Sequence, residues 1–248
     1  MAGNDRDLRW EALLNARDLG GLPAASGVIR RGAIVRSDAL YRLNEAGRAA
    51  LVAHGVRTVI DMRAQREVDL PEYGYDFDAA SGVTRHHIAQ QSEEMWEATR
   101  GLDRITSDVT MLEVAQSRFA AIAVAIAAAP DGGVLIHCAA GKDRTGLMTM
   151  LLLDLVGTPA DVIAADYALS AVGLASLFAD LIAKAETEAQ RLRLQREALC
   201  GPDIMLAIHR LFRVRTGGTE AYLRAAGVSG RTIEALRRRM LDGASPTT

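Results

Sequence analysis

Aromatic residues are scarce in this 248-residue chain, at 4% against 49% hydrophobic residues in all. Ala and Leu carry most of the apolar content, so a helix-rich core is expected. There are two cysteines. That is too few for a disulfide framework, and a reducing compartment is the default expectation. Neither sign of charge prevails: the formal net charge is −2 and the pI about 6.2. No whole-chain field therefore draws in nucleic acid or an anionic membrane. Met1–Trp10 has no apolar h-region, so no signal peptide is expected and a cytoplasmic location is the expectation, with signal-independent secretion left open. The longest apolar stretch, Phe119–Pro130, is Ala-rich and too short to span a bilayer, which argues against membrane insertion. Oligomeric state is not encoded in any of these features.

What is present reads as one large domain over residues 1–248, with a lid or insertion at about 90–110 and a helical subdomain at about 158–241. Gly27–Ser37 is expected to be a strand or hairpin, and Val56–Met62, Gly82–Ala89 and Gly133–His137 further strands. Asn44–His54 is expected as a helix with Asn44 as N-cap and Gly55 as its stop. Pro71–Ser81 is expected as a loop, Met111–Ala129 as one long helix, and a helix should run from the 138–144 loop to Val156. Thr158 reads as an N-cap with Pro159 in the first turn. Leu174–Leu199 reads as one helix or two, followed by helices at Asp203–Val214, Thr219–Ala226 and Ser229–Leu241, and Asp242–Thr248 as a frayed tail. The fold class that follows is α/β: a central, mostly parallel sheet flanked by helices, with a helical C-terminal third.

Residues 137–146, His-Cys-Ala-Ala-Gly-Lys-Asp-Arg-Thr-Gly, join the Gly133–His137 strand to the helix that follows. Cys138 lies six positions before Arg144. A free thiol titrates at about 8.5, and a helix N-terminus with cationic neighbours lowers that to roughly 3.5–7.5. The amides of Ala139, Ala140, Gly141, Lys142 and Arg144 can wrap an anion, as successive N–H groups do in a nest. Gly141 supplies the backbone freedom for such a loop, and Arg144 a planar fork for two phosphate oxygens. This is the arrangement of a thiolate nucleophile beside a bound phosphate, with phosphocysteine formed and then hydrolysed. Arg144, the amides and Lys142 do the electrostatic work of a metal, so no metal and no cofactor are expected. A Walker loop is excluded, since Asp143 follows Lys142 where Ser or Thr is needed.

His-Cys-x-x-Gly-Lys-Asp-Arg-Thr-Gly resembles the signature of the tyrosine-phosphatase superfamily. Its Gly-Lys-Asp-Arg form is similar to the bacterial branch that includes the mycobacterial and listerial secreted phosphatases of broad specificity. Asn15-Ala-Arg-Asp-Leu-Gly-Gly21, Val35-Arg-Ser-Asp38, Ile60-Asp-Met-Arg63 with Glu67, Asp166-Tyr167 and Tyr222–Val228 resemble further elements of that branch. The likeness runs over roughly residues 15–241. It implies a phosphatase fold, Cys138 as nucleophile and Arg144 as phosphate clamp.

The chain departs from that pattern in the proton donor. In the branch it resembles, the donor is an aspartate on a separate loop, and the matching place here, about Ala89-Gln-Gln-Ser92, has no carboxylate. Asp143 inside the loop is one candidate acid and Glu93 or Glu94 another; Asp61 or solvent is the third possibility. His137 orients the loop or is simply a satisfied core histidine. Thr145 either bonds the sulfur or caps the helix. Asp61 and Arg63, with Arg17, Asp18 and Asp38, line the site or anchor loops. His86 and His87 point to opposite faces of a strand, which argues against a metal pair. Cys200 is a semi-buried thiol or a redox partner of Cys138. Arg237, Arg238 and Arg239 read as a solvated helix face.

Lys142 widens the positive field and would favour multiply phosphorylated ligands. Expected substrates are phosphotyrosine proteins, with phosphoserine/threonine or phospholipid headgroups as extensions. Phosphate or sulfate is the expected site ligand. Two other functions fit the same loop: a non-catalytic phosphate-binding pseudophosphatase, and a thiol-based sulfur or arsenate transferase using Cys200.

Overall fold

The computed structural model describes residues 5–241, apart from the side chains of Glu93 and Trp96. Seven strands occur among them: β1 Arg17–Asp18, β2 Pro23–Ala24, β3 Gly27–Val28, β4 Ile34–Ser37, β5 Val56–Asp61, β6 Thr84–His87 and β7 Gly133–His137. Five form one sheet in the order β1-β4-β7-β5-β6, and β2 and β3 form a separate ribbon. The pairs β4–β7, β7–β5 and β5–β6 are parallel, while β1 runs antiparallel at the edge. The mostly parallel sheet and helical last third agree with the sequence reading.

Side chains alternate across the sheet with period 2. Val35, Val59 and Leu135 face a small core with Trp10, Leu40 and Leu51. Ile34, Ile60, Val134 and Ile136 face a larger core with Phe119, Met150, Leu151 and Phe212. β7 lies at the centre with all five residues buried. Its C-terminal end is therefore where the parallel strands deliver the Cys138 loop, at the edge of the sheet where α/β ligand sites form.

The first helices are α1 Glu45–Ala53, α2 Gln65–Val68, α3 Glu93–Thr99, α4 Arg104–Val114, α5 Gln116–Ala128 and α6 Asp143–Leu155. The C-terminal third adds α7 Ala160–Gly173, α8 Ala175–Ala183, α9 Glu188–Ala198, α10 Pro202–Thr216, α11 Thr219–Ala225 and α12 Gly230–Met240. Asn44 caps α1 as expected, its side chain accepting from the Gly47 amide at 2.9 Å. The expected strand or hairpin at Gly27–Ser37 is divided between β3 and β4.

Two expectations are corrected. The helix expected over Met111–Ala129 is broken at Ala115, with α4 and α5 meeting at 70°. No Gly or Pro marks this break. Met111, Leu112 and Ala115 on one side and Phe119, Ile122 and Ala123 on the other are all buried, and packing overrides local propensity. Thr158 is not a cap: α7 starts after Pro159, and the buried Thr158 hydroxyl has no hydrogen-bond partner among the described residues. Leu174–Leu199 is two helices, α8 and α9. The tail Asp242–Thr248 lies outside the described residues. No single described helix is long and apolar enough to cross a membrane.

Candidate active site

Cys138 follows β7 and is 2% exposed. The chain then turns sharply into α6. Gly141 has φ +65°, and a Cβ there would lie 2.3 Å from the Ser37 carbonyl oxygen. Only glycine fits both the conformation and the space.

The loop's carbonyls are all tied down. The Ala39 amide donates to Ala139 O at 3.0 Å. Asn15 Nδ2 donates to Ala140 O at 3.0 Å and Gly141 O at 3.1 Å. Arg36 Nη2 donates to Gly141 O at 2.8 Å, and the Gly146 amide to Lys142 O at 2.7 Å. The amides of residues 139–144, by contrast, donate to no protein acceptor among the described residues. Six successive N–H groups without protein partners among the described residues, ahead of the first turn of α6, are an arrangement able to receive an anion.

A buried ion cluster holds this arrangement from behind. Arg36 is fully buried, and its Nη1 lies 2.8 Å from Asp166 Oδ2. Asp166 also meets Arg6 at 2.8 Å and Arg17 at 3.2 Å. Burial pushes Arg36 down to about 10, and Arg17 adds to this, while Asp166 opposes it. Burial alone would raise Asp166, but Arg17, Arg36 and Arg6 hold it well below the usual carboxylate range. Three guanidiniums thus converge on one buried carboxylate behind the loop. Asp38 completes the backing, accepting from the Leu14 and Asn15 amides at 3.2 and 3.0 Å.

Arg144 stands in the first turn of α6. Its guanidinium is gripped in a fork by Glu67, Nη1–Oε2 at 2.5 Å and Nη2–Oε1 at 2.9 Å. Burial opposes its charge, but the Cys138 sulfur and Glu67 more than compensate and raise it. Glu67 is itself fixed by the Ala64 amide at 2.7 Å and lies below its ordinary value: burial would raise it, and Arg144 outweighs burial.

Beneath Cys138, His137 is fully buried. Its Nδ1 lies 2.9 Å from the Cys138 carbonyl, which can only accept, so Nδ1 carries the proton. Nε2 then accepts from the Tyr75 hydroxyl. Burial pushes His137 down to about 4, against the opposing effect of Asp61, so the ring is neutral at neutral pH. Asp61 is bonded by Arg63 at 2.8 Å and Arg85 at 2.8 Å. Burial would raise it, but His137 and these guanidiniums hold it well below the carboxylate range. An acid held ionised in this way has no proton to donate at neutral pH, so Asp61 is a structural anion here.

The family model for the tyrosine phosphatase family matches residues 8–242. The chain belongs to the tyrosine phosphatase family. It is 31% identical over 226 residues to a tyrosine-protein phosphatase of Nostoc commune, covering 84% of this chain and 74% of the relative. It is 28% identical over 264 residues to the triple specificity protein phosphatase PtpB of Mycobacterium tuberculosis, covering 90% and 95%. The resemblance read from the sequence is therefore borne out, and this tyrosine phosphatase is a phosphoric monoester hydrolase.

The remaining candidate residues of the tyrosine phosphatase fall in different places. Asp143 Oδ1 accepts from Arg104 Nη2 and, at 3.2 Å, from the Tyr167 hydroxyl; its side chain is 39% exposed. Arg104 also grips Asp108 at 2.6 Å. Burial pushes Asp108 up to about 6, partly opposed by Arg104. Glu94 is exposed on α3, with no hydrogen bond or ion pair to the loop among the described residues. The Glu93 side chain lies outside the described residues. Thr145 is buried, and its hydroxyl has no partner among the described residues.

Lys142 is 2% exposed, and its Nζ is bonded to the Glu197 carbonyl and, at 3.3 Å, to the Leu199 carbonyl. The ammonium expected to widen the loop's positive field thus meets backbone oxygens at the end of α9 and, at 3.4 Å, the Asp143 carboxylate. Cys200 Sγ donates to Tyr167 O at 3.3 Å, and burial pushes this thiol up. His87 bonds the Arg63 carbonyl at 2.9 Å, and no group of three or more potential metal ligands occurs among the described residues. Of the late arginines, Arg238 is exposed, but Arg239 donates to Gly132 O at 3.0 Å and Arg237 to Glu220 at 2.6 Å.

Sequence reasoning assigned no individual role to Arg36, Asp166, Glu67, Tyr75 or Arg104. The first three lie in segments that carried the family resemblance, which was the available signal. Tyr75 and Arg104 had none.

Proposed function

We propose that this chain is a metal-independent cysteine phosphatase that hydrolyses phosphotyrosine, and by extension phosphoserine, phosphothreonine or phosphoinositides, through a phosphocysteine. The observation that carries the reading is the row of amides 139–144, with no protein acceptor among the described residues, beside Arg144 and Cys138. Backbone N–H groups and a guanidinium aimed at one point stabilise the charge on the transferring phosphoryl group. Cys138 sulfur attacks phosphorus as the P–O bond to the leaving group breaks, and the leaving oxygen takes a proton. Water then attacks the phosphocysteine, the S–P bond breaks, and phosphate and the thiolate are regenerated.

Asp143 is the acid this reading favours, because it adjoins Arg144 and keeps an exposed carboxylate oxygen, whereas Asp61 is held ionised. Asp143 is ion-paired with Arg104 and, at 3.4 Å, with Lys142. A broad substrate range is supported by the name of the mycobacterial relative.

The test is turnover of an aryl phosphate with a chelator present, with mass spectrometry of the Cys138 peptide after rapid acid quench. Wild type should turn over and carry a phosphate adduct, and Cys138→Ser should do neither. A Cys138→Ser variant at the wild-type rate would defeat the mechanism. Phosphopeptide binding without turnover between pH 5 and 8 would select the pseudophosphatase. Loss of activity in Cys200→Ala would favour the thiol-transferase reading.

A further inference from the structure

The end of the sheet opposite the Cys138 loop carries a charge pattern of its own. A cleft of about 470 Å³ opens where the start of β7 meets α12. Arg30, Arg238 and Arg239 line it, and Asp131 is its one acidic lining residue. Cys138 follows the other end of β7. At about 3.3 Å per residue, that strand sets the two places roughly 16 Å apart.

The guanidiniums here meet main-chain oxygens in place of carboxylates. Arg239 donates to Gly132 O at 3.0 Å, to Pro130 O at 3.1 Å and to Ala129 O, which fixes it against the end of α5. Arg30 Nη2 donates to Arg239 O at 2.9 Å. Arg238 is exposed. Among the described residues none of the three forms an ion pair, whereas their neighbour Arg237 pairs with both Glu220 and Glu234. Burial lowers Arg239 below its ordinary value, Arg30 adds to this, and Asp131 opposes it. Arg57 stands behind Gly132, where an added Cβ would lie 2.5 Å from Arg57 Cγ. Its Nη1 also donates to carbonyls, those of Val52 and Val56.

Three guanidiniums against one carboxylate leave the cleft lining with a formal excess of two positive charges. Like charges gathered in this way repel until an anion joins them. A phosphate monoester carries about −1.5 to −2 at pH 7 and presents three acceptor oxygens. A carboxylate brings half that charge and two oxygens in one plane. We propose that this cleft is an anion site, separate from the Cys138 loop, that binds a phosphate monoester group through Arg30 and Arg238, with Arg239 as the fixed positive wall. A soluble phosphate compound and a phospholipid headgroup share that group. The site does not depend on the reaction proposed for Cys138.

Phenylglyoxal modification of the full chain, read by peptide mass spectrometry, reports each arginine separately. Inorganic phosphate should slow modification of Arg238 and Arg30 by about tenfold once it exceeds its Kd about tenfold. Exposed Arg210, on α10 and outside the cleft, should react at an unchanged rate. Acetate and succinate at the same ionic strength should need about tenfold higher concentrations for the same protection. In Arg238→Gln, protection of Arg30 should need about tenfold more phosphate, the effect of losing a hydrogen bond to a charged group, while aryl phosphate turnover stays within about twofold of wild type. Phosphatidylcholine vesicles containing phosphatidate distinguish the sources. Sedimentation of wild type but not of Arg238→Gln assigns the group to a lipid headgroup, and protection by phosphate without sedimentation assigns it to a soluble ligand. No protection of Arg238 and Arg30 by phosphate overturns the site. Equal protection by acetate or succinate overturns the choice of phosphate. Loss of turnover in Arg238→Gln overturns the separation from the Cys138 loop. Arg144 is read on its own peptide, so a failure of the Cys138 reading is told apart from a failure here.

Discussion

Replacing Asp166 by Asn removes one negative charge from among three buried guanidiniums while preserving side-chain volume. Arg6, Arg17 and Arg36 all meet this carboxylate within 3.2 Å. An Asn can still accept on its oxygen, but its amide would face Arg36 with a donor. Breaking a buried ion pair from one side costs about 3–5 kcal/mol, because the surviving charge is left uncompensated. At about 2–4 °C per kcal/mol for a chain of this size, Tm should fall by roughly 6–20 °C. The local damage should reach the Cys138 loop, since Arg36 shares with Asn15 the hold on Gly141 O, at 2.8 and 3.1 Å. A thermal melt by circular dichroism, paired with aryl phosphate turnover on the folded fraction, measures both effects. The double variant Arg36→Met/Asp166→Asn should recover part of the stability but not the turnover, since it removes a buried charge yet leaves Gly141 O with Asn15 as its one remaining donor. A fall in Tm of less than about 2 °C for Asp166→Asn would refute the idea that this carboxylate sustains the cluster.

Two further outcomes follow from the same geometry. Glu67→Gln should lower kcat/KM by about tenfold to hundredfold, the equivalent of losing one charge-assisted fork on Arg144; an unchanged value in steady-state assays would remove Glu67 from the clamp. His137 is pushed down to about 4 in the folded chain, while an unfolded histidine titrates near 6.5. The unfolded state therefore binds the extra proton between those values. The stability contribution is fully present above about pH 6.5 and is lost as pH falls towards 4, by about 3 kcal/mol. Urea melts at stepped pH should show this slope in wild type and a shallower one in His137→Asn.

The Cys138 loop was legible because its signals are local. An apolar strand, a glycine, a thiol six residues before an arginine and an apolar helix follow in one short stretch. Asn44 at the start of α1 was legible for the same reason: its cap bond spans three residues. The bend at Ala115 was not, because no residue there breaks a helix and the cause is tertiary packing on both sides. Nor was the partnership of Arg36 and Asp166, which are 130 positions apart. Neither residue type announces its counter-ion. The partners of Lys142 were illegible for a related reason. A lysine in a phosphate loop reads as a ligand for anions, but its ammonium here bonds main-chain oxygens contributed by residues 197 and 199, and carbonyls are the same in every sequence. Arg104 illustrates the opposite limit, since a single guanidinium in a polar stretch gave no hint of Asp143 and Tyr167 as its partners.

The bracing of the loop has a consequence for how the chain matures during synthesis. Asn15 and Arg36 emerge from the ribosome well before Cys138, but their partner Asp166 and the hydroxyl of Ser170, 3.2 Å from Asn15 Nδ2, come after it. A nascent chain that has exposed residues 133–146 and no more has the Cys138 loop without the counter-ion of Arg36. The bracing of the Cys138 loop is then complete only when α7 has left the exit tunnel, and a chain truncated short of residue 166 carries the loop without the carboxylate that pairs with Arg36.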